Sequence, residues 1–170
     1  MNSFISNLDE IFDSRFKLSN SGGVIKLVES NKSAKCKNVS LQISQKVTAI
    51  SLDRELRGCQ VFPFFNPHNK FVNKKADGII FVELKDKLVV LLIDLKSDNP
   101  ISAIKQLKVS ENIANYFISQ AKIKNPNFEK EIIFKQIVFT TKINKGTTKR
   151  EGKLKTFACN REYKLYQLYE

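Results

Sequence analysis

The sequence predicts a mixed α/β domain, and three features carry that prediction. They are a hairpin of two apolar strands at residues 79–84 and 88–95, a long amphipathic helix opening at Asn99-Pro100, and a third apolar strand at 131–140. A strand, helix, strand succession implies a right-handed parallel crossover, while the hairpin adds an antiparallel neighbour. The central sheet is therefore expected to be mixed and flanked by helices. At 170 residues the chain is long enough to bury a real core and too short for two full ones, so a single domain over 1–170 is expected.

The elements follow in order. Phe4, Ile5, Leu8, Ile11, Phe12 and Phe16 recur at three- and four-residue spacing and predict a first helix with one apolar face, its acids Asp9, Glu10 and Asp13 on the other side. Gly22-Gly23 opens a short strand through Val24 to Val28. Residues 39–52 fit a period of two in part and 3.6 in part, and are left unassigned. Ile79 to Leu84 is a strand, Lys85-Asp86-Lys87 a polar turn, and Leu88 to Leu95 a second strand rich in branched side chains. The unbroken apolarity of the second strand marks a central position, covered on both faces. Asn99 suits an N-cap and Pro100 the first helical position; the helix runs to about Lys122 with Ile101, Ile104, Leu107, Ala114, Phe117, Ile118 and Ala121 along one stripe. Asn125-Pro126-Asn127 ends it, and Glu131 to Thr140 is a further buried strand.

Charge indicates the partner. The 29 Lys and Arg residues against 17 Asp and Glu leave +12 and a pI near 9.6 in a chain that is 42% apolar. This is a folded basic protein, and its excess calls for a polyanion, first of all nucleic acid. The excess is uneven: residues 61–100 hold six basic and five acidic side chains, whereas 141–170 hold eight and three. The longest unbroken apolar run, Leu88 to Ile93, is six residues, so no membrane span is expected. Met1-Asn2-Ser3-Phe4 shows no basic region leading into an apolar stretch, so no signal peptide is expected either.

Several chemistries are excluded. Cys36, Cys59 and Cys159 are odd in number and far apart, which fits neither a disulfide framework nor a zinc motif, and a cytoplasmic location is expected. The one histidine, His68, rules out two-histidine zinc sites and lies in Phe64-Phe65-Asn66-Pro67-His68-Asn69, which reads as a turn. Gly22-Gly23 and Gly78 belong to no phosphate-binding loop, which leaves nucleotide-dependent chemistry unsupported.

The hairpin assembles the most informative residues. A two-residue loop at Lys85-Asp86 pairs positions whose numbers sum to 171, which sets Asp77 opposite Asp94. Opposed carboxylates lie about 4.5–5.5 Å apart at Cβ and repel. Among apolar strands that arrangement is costly unless a cation offsets it. Lys96, two residues beyond Asp94, projects from the same face. Oxygen ligands without cysteine or histidine favour Mg²⁺ or Mn²⁺.

Asp77, a hairpin, then Ile93-Asp94-Leu95-Lys96 and a helix bearing Gln106 resembles the PD-(D/E)XK nuclease superfamily, the restriction-endonuclease-like fold. The resemblance covers about residues 50–140. Ala76 stands where the proline of the name falls, and Asp94 takes the place of the commoner Glu. It implies that Asp77 and Asp94 are metal ligands, that the Leu95 carbonyl adds a ligand, and that Lys96 orients or activates the attacking water. Gln106 matches the position of a glutamine on the following helix in several branches, without the full Gln-x-x-x-Tyr pattern. The family usually adds an upstream glutamate, for which Glu55 is the first candidate and Glu10 the second. A second triplet, Glu83-Leu84-Lys85, abuts the hairpin turn, lacks a preceding acid, and is expected to be solvated strand-end charge.

The stretch Lys142 to Lys155 carries six basic residues, Lys142, Lys145, Lys149, Arg150, Lys153 and Lys155, and one acid. With its glycines and threonines it reads as a loop contacting phosphates. Tyr163, Tyr166 and Tyr169 have a spacing suited either to base stacking or to core packing. The expectation is a Mg²⁺- or Mn²⁺-dependent endonuclease acting on DNA in defence, restriction or repair, as a homodimer or a subunit of a larger complex. The alternatives are a non-catalytic nucleic-acid-binding subunit and an RNA endonuclease.

Overall fold

The computed structural model describes residues 3–53, 74–142 and 154–170. Helix α1 (Phe4–Ile11) starts at Ser3, whose hydroxyl accepts from the Ser6 N–H. It ends sooner than the apolar spacing suggested. The Asp13 carboxylate takes both the backbone N–H and the guanidinium of Arg15, a local turn that competes with helix, and Phe16 lies beyond it, its carbonyl accepting from Ser51 N. Strands β1 (Asn20–Ser21) and β2 (Val24–Val28) are joined by Gly22 and Gly23, both at positive φ as a tight hairpin turn requires.

The chain continues through β3 (Asn38–Gln42), β4 (Lys46–Ser51), β5 (Gly78–Glu83) and β6 (Lys87–Lys96). A 3₁₀ turn at Pro100–Ala103 leads into α2 (Ile104–Lys124), followed by β7 (Glu131–Thr140), β8 (Leu154–Ala158) and β9 (Glu162–Lys164). The fold is mixed α/β, as the sequence predicted. A five-stranded sheet runs β4-β5-β6-β7-β8, antiparallel on the β4 and β5 side and parallel from β6 to β8. A second sheet, unforeseen in the sequence, runs β1-β2-β3-β9 with β9 parallel to β3. Residues 39–52 were ambiguous because they change sheets: β3 belongs to one, β4 to the other.

Strand β6 is the middle strand of the larger sheet and is sandwiched between two cores. Leu88, Val90 and Leu92, with Ile79 and Phe81 of β5, pack under Phe4 and Leu8 of α1 and Leu107, Ala114 and Ile118 of α2. Val89, Leu91, Ile93 and Leu95 face Ile25, Leu27, Val39 and Leu41 of the second sheet. That double burial is why residues 88–95 show no polar alternation. Asn99 caps as expected, accepting from Ile101 N, but Ile101 itself is exposed rather than part of the buried stripe, because the helix opens as a 3₁₀ turn there. Among the described residues no helix is long and apolar enough to cross a membrane.

The hairpin register is the expected one, from Gly78 opposite Ile93 to Glu83 opposite Leu88, closed by Leu84 N donating to the Lys87 carbonyl at 2.9 Å. Gly78 leaves little room for a side chain: a Cβ would stand 3.0 Å from Leu27 Cδ2 and 3.1 Å from the Ile50 carbonyl oxygen, so both neighbours would have to give. Gly78→Ala is therefore expected to cost about 1–3 kcal/mol, read as a lower urea midpoint at unchanged m-value.

Candidate functional site

The site lies where β5 begins and β6 ends. One step beyond the Gly78 and Ile93 pair, the register sets Asp77 against Asp94. Alternation along the strands puts both acids and Lys96 on the helix-facing side, with Ile79 and Leu92. Leu92 lies on the same face of β6 as Asp94, and the Asp94 side chain is 0% exposed. Neither Asp94 oxygen accepts a hydrogen bond among the described residues. Lys96 Nζ stands 2.8 Å from Asp94 Oδ2, an ion-pair contact without hydrogen-bond alignment, and keeps 22% of its side chain exposed.

Asp77 is partly buried and held on several sides. Its Oδ2 accepts from Leu95 N at 2.5 Å, and its carbonyl accepts from Leu52 N at 3.0 Å and Ser51 Oγ at 3.4 Å. Burial, and then the Asp94 charge, push its carboxyl up to about 8; the Leu95 N–H pulls the other way. Burial also raises Asp94, against the pull of Lys96. Two acids against one ammonium leave an uncompensated negative charge in a low-dielectric setting when both are ionised, and a hard divalent cation fits that vacancy in charge and in donor type. The buried Asp94 oxygens, which accept no hydrogen bond among the described residues although Oδ2 meets Lys96, are the structural observation behind that fit.

The remaining candidates fall in different places. Gln106 bonds the backbone two residues before Asp77: its Nε2 donates to the Lys75 carbonyl at 3.1 Å. Leu95 enters the site through its N–H, whereas the resemblance implied its carbonyl. Glu10 is not brought to the pair. Its carboxylate bonds Lys124 at 3.0 Å, at the far end of α2 from Gln106, and 18 helical residues span about 27 Å. Glu55 lies outside the described residues, as do Cys59 and His68. Two acids escaped the sequence reading: Asp53, just past β4, and Glu29, just past β2, whose charges both bear on Asp77. Asp53 could have been found beside Glu55; nothing in the sequence places Glu29 there, because it arrives with the second sheet. Among the described residues no three acidic, histidine or cysteine side chains stand close enough to hold one metal ion.

The basic stretch divides. Lys142 pairs with Asp98 at 3.2 Å. Lys145, Lys149, Arg150 and Lys153 lie outside the described residues. Lys155 is in strand β8 opposite Ile137, not in a loop, since Leu154 to Ala158 extends the parallel ladder. Tyr163 belongs to the core: it packs on Phe139 and Phe157, and its hydroxyl donates to the Ala158 carbonyl at 2.7 Å. Glu83 is not solvated charge. It pairs with Lys130 at 3.0 Å and accepts from Ile5 N, because α1 docks on the turn end of the hairpin. There a cleft of about 550 Å³ lies between α1 and the 124–130 turn, at the opposite end of the sheet from Asp94. Its Glu83 and Lys130 neutralise each other. No family model, no curated protein and no solved structure matches the chain.

Proposed function

We propose that the protein is a divalent-metal-dependent nuclease with a restriction-endonuclease-like core, hydrolysing phosphodiester bonds of DNA. The observation that carries the reading is the fully buried Asp94, whose oxygens accept no hydrogen bond among the described residues and whose Oδ2 is in ion-pair contact with Lys96, facing Asp77 at the end of the central strand. Asp94 and Asp77 would hold Mg²⁺ or Mn²⁺, which when bound polarises the scissile phosphate and lowers the pKa of water. Lys96, beside Asp94 and partly exposed, would orient that water and offset charge developing on the phosphate. Leu95 N–H keeps the Asp77 carboxylate turned toward Asp94. The net charge of +12 supplies the attraction that brings a polyanion to the acids.

Incubation with plasmid and Mg²⁺ tests the proposal. Cleavage by the wild type, stopped by EDTA and lowered about 10²–10³-fold by Lys96→Ala, is the expected result. Nucleic-acid binding with no cleavage over a panel of metals and substrates would identify a non-catalytic binding subunit instead. Cleavage of RNA in preference to DNA of matched sequence would move the substrate assignment to RNA.

A further inference from the structure

Helix α2 bonds the segment that leads through Asp77 into β5 at two points. Gln106 Nε2 donates to the Lys75 carbonyl at 3.1 Å, and Ser110 Oγ accepts from the Ala76 N–H at 2.8 Å. The Lys75 carbonyl and the Ala76 N–H are the two polar ends of one peptide group. Gln106 and Ser110, four residues apart and so on one face of the helix, therefore hold both ends of the Lys75-Ala76 peptide plane, which ends at the Cα of Ala76, one residue before Asp77. Ser110 and Ala76 are fully buried, which leaves the Ala76 N–H no water to turn to. Beyond Asp77, Leu52 N and Ser51 Oγ hold its carbonyl, and Leu95 N holds its carboxylate.

We infer that Gln106 and Ser110 are positioning residues that preset Asp77 against Asp94 for a divalent cation by fixing the Lys75-Ala76 peptide plane. A peptide plane held at one end only can still swing about its neighbouring bonds; held at both ends it cannot, which fixes the Cα of Ala76. Only the fully buried Ala76 separates that fixed point from Asp77, whose own carbonyl is held by Leu52 N. Ala at 110 would leave a buried N–H unpaired and the plane free to rotate toward another acceptor. Residues that orient metal ligands without touching the metal typically change its affinity about 10–100-fold. The inference rests on the metal reading proposed above.

Titration of the full chain with Mn²⁺ alone by calorimetry tests it, with urea midpoints measured in parallel. Ser110→Ala and Gln106→Met are each expected to weaken Mn²⁺ binding about tenfold, and Ser110→Thr, which keeps the hydroxyl, to recover most of the loss. Because both side chains hold one group, the double variant is expected to lose much less than the product of the two single losses. Lowered urea midpoints with Mn²⁺ affinity unchanged from wild type would overturn the inference and leave the two residues as fold supports. A wild type that binds no Mn²⁺ would overturn the metal reading itself, together with whatever depends on it.

Discussion

Asp94→Asn is expected to abolish cleavage, by at least about 10³-fold, while raising the melting temperature of the metal-free protein. The two effects have one cause. In the wild type a carboxylate is fully buried without a hydrogen bond and faces a second acid. Asparagine has nearly the same shape and no charge, so it removes the repulsion at small packing cost. Lys96 loses its partner, but 22% of its side chain is exposed and its ammonium can turn to water. An uncharged amide left unpaired still costs something, but less than an unpaired charge. A gain of about 1–3 kcal/mol, hence about 2–12 °C in Tm for a chain of this size, is expected in EDTA. Mg²⁺ should add stability to the wild type and none to the variant. Calorimetric melts with and without Mg²⁺ check both; a variant less stable than wild type in EDTA would show Asp94 to be a structural anchor.

The second large effect is on pH. Asp77 is held up to about 8 in the folded protein, whereas a carboxyl in an unfolded chain titrates near 3.9. The folded state binds this proton more tightly, so the associated stability is fully present below about pH 4 and is lost as pH rises through about 8. The loss reaches about 1.4 kcal/mol per pH unit for one group. Metal-free protein should therefore melt at progressively lower temperature from pH 5 to pH 8. Mg²⁺, which replaces the proton, should restore more of that loss the higher the pH. Other groups titrate over the same range, and Asp77→Asn isolates this one: the slope of Tm against pH in EDTA should flatten in that variant. Equal slopes in wild type and variant would place the linkage elsewhere.

The larger sheet was legible because its strands are long, apolar and separated by strong breakers. Leu88 to Leu95 is buried on both faces and so shows its class in composition alone, and the Lys85-Asp86 turn set the register that the structure displays. The second sheet was not legible. Its strands are two to five residues long, and β3 joins β9 across more than a hundred residues; such pairing leaves no local periodic trace. At the site, Asp77, Asp94 and Lys96 were accessible to strand parity. The roles of Gln106, Ser110 and Leu95 N–H were hidden because each acts through a backbone group, which every residue type presents alike. Glu10 misled because an acid's position along the chain says nothing of which end of a helix it faces.

The turn at Lys85-Asp86 touches neither acid and stands a whole strand length from them. Its two residues nonetheless decide that the acids meet, since an added residue slips the pairing by one and turns every side chain of β5 to the opposite face. The facing of the two acids thus depends on how many residues the turn has more than on which residues they are. The meeting of the two acids is written there as a length, in a place where no comparison of the acids themselves would look for it.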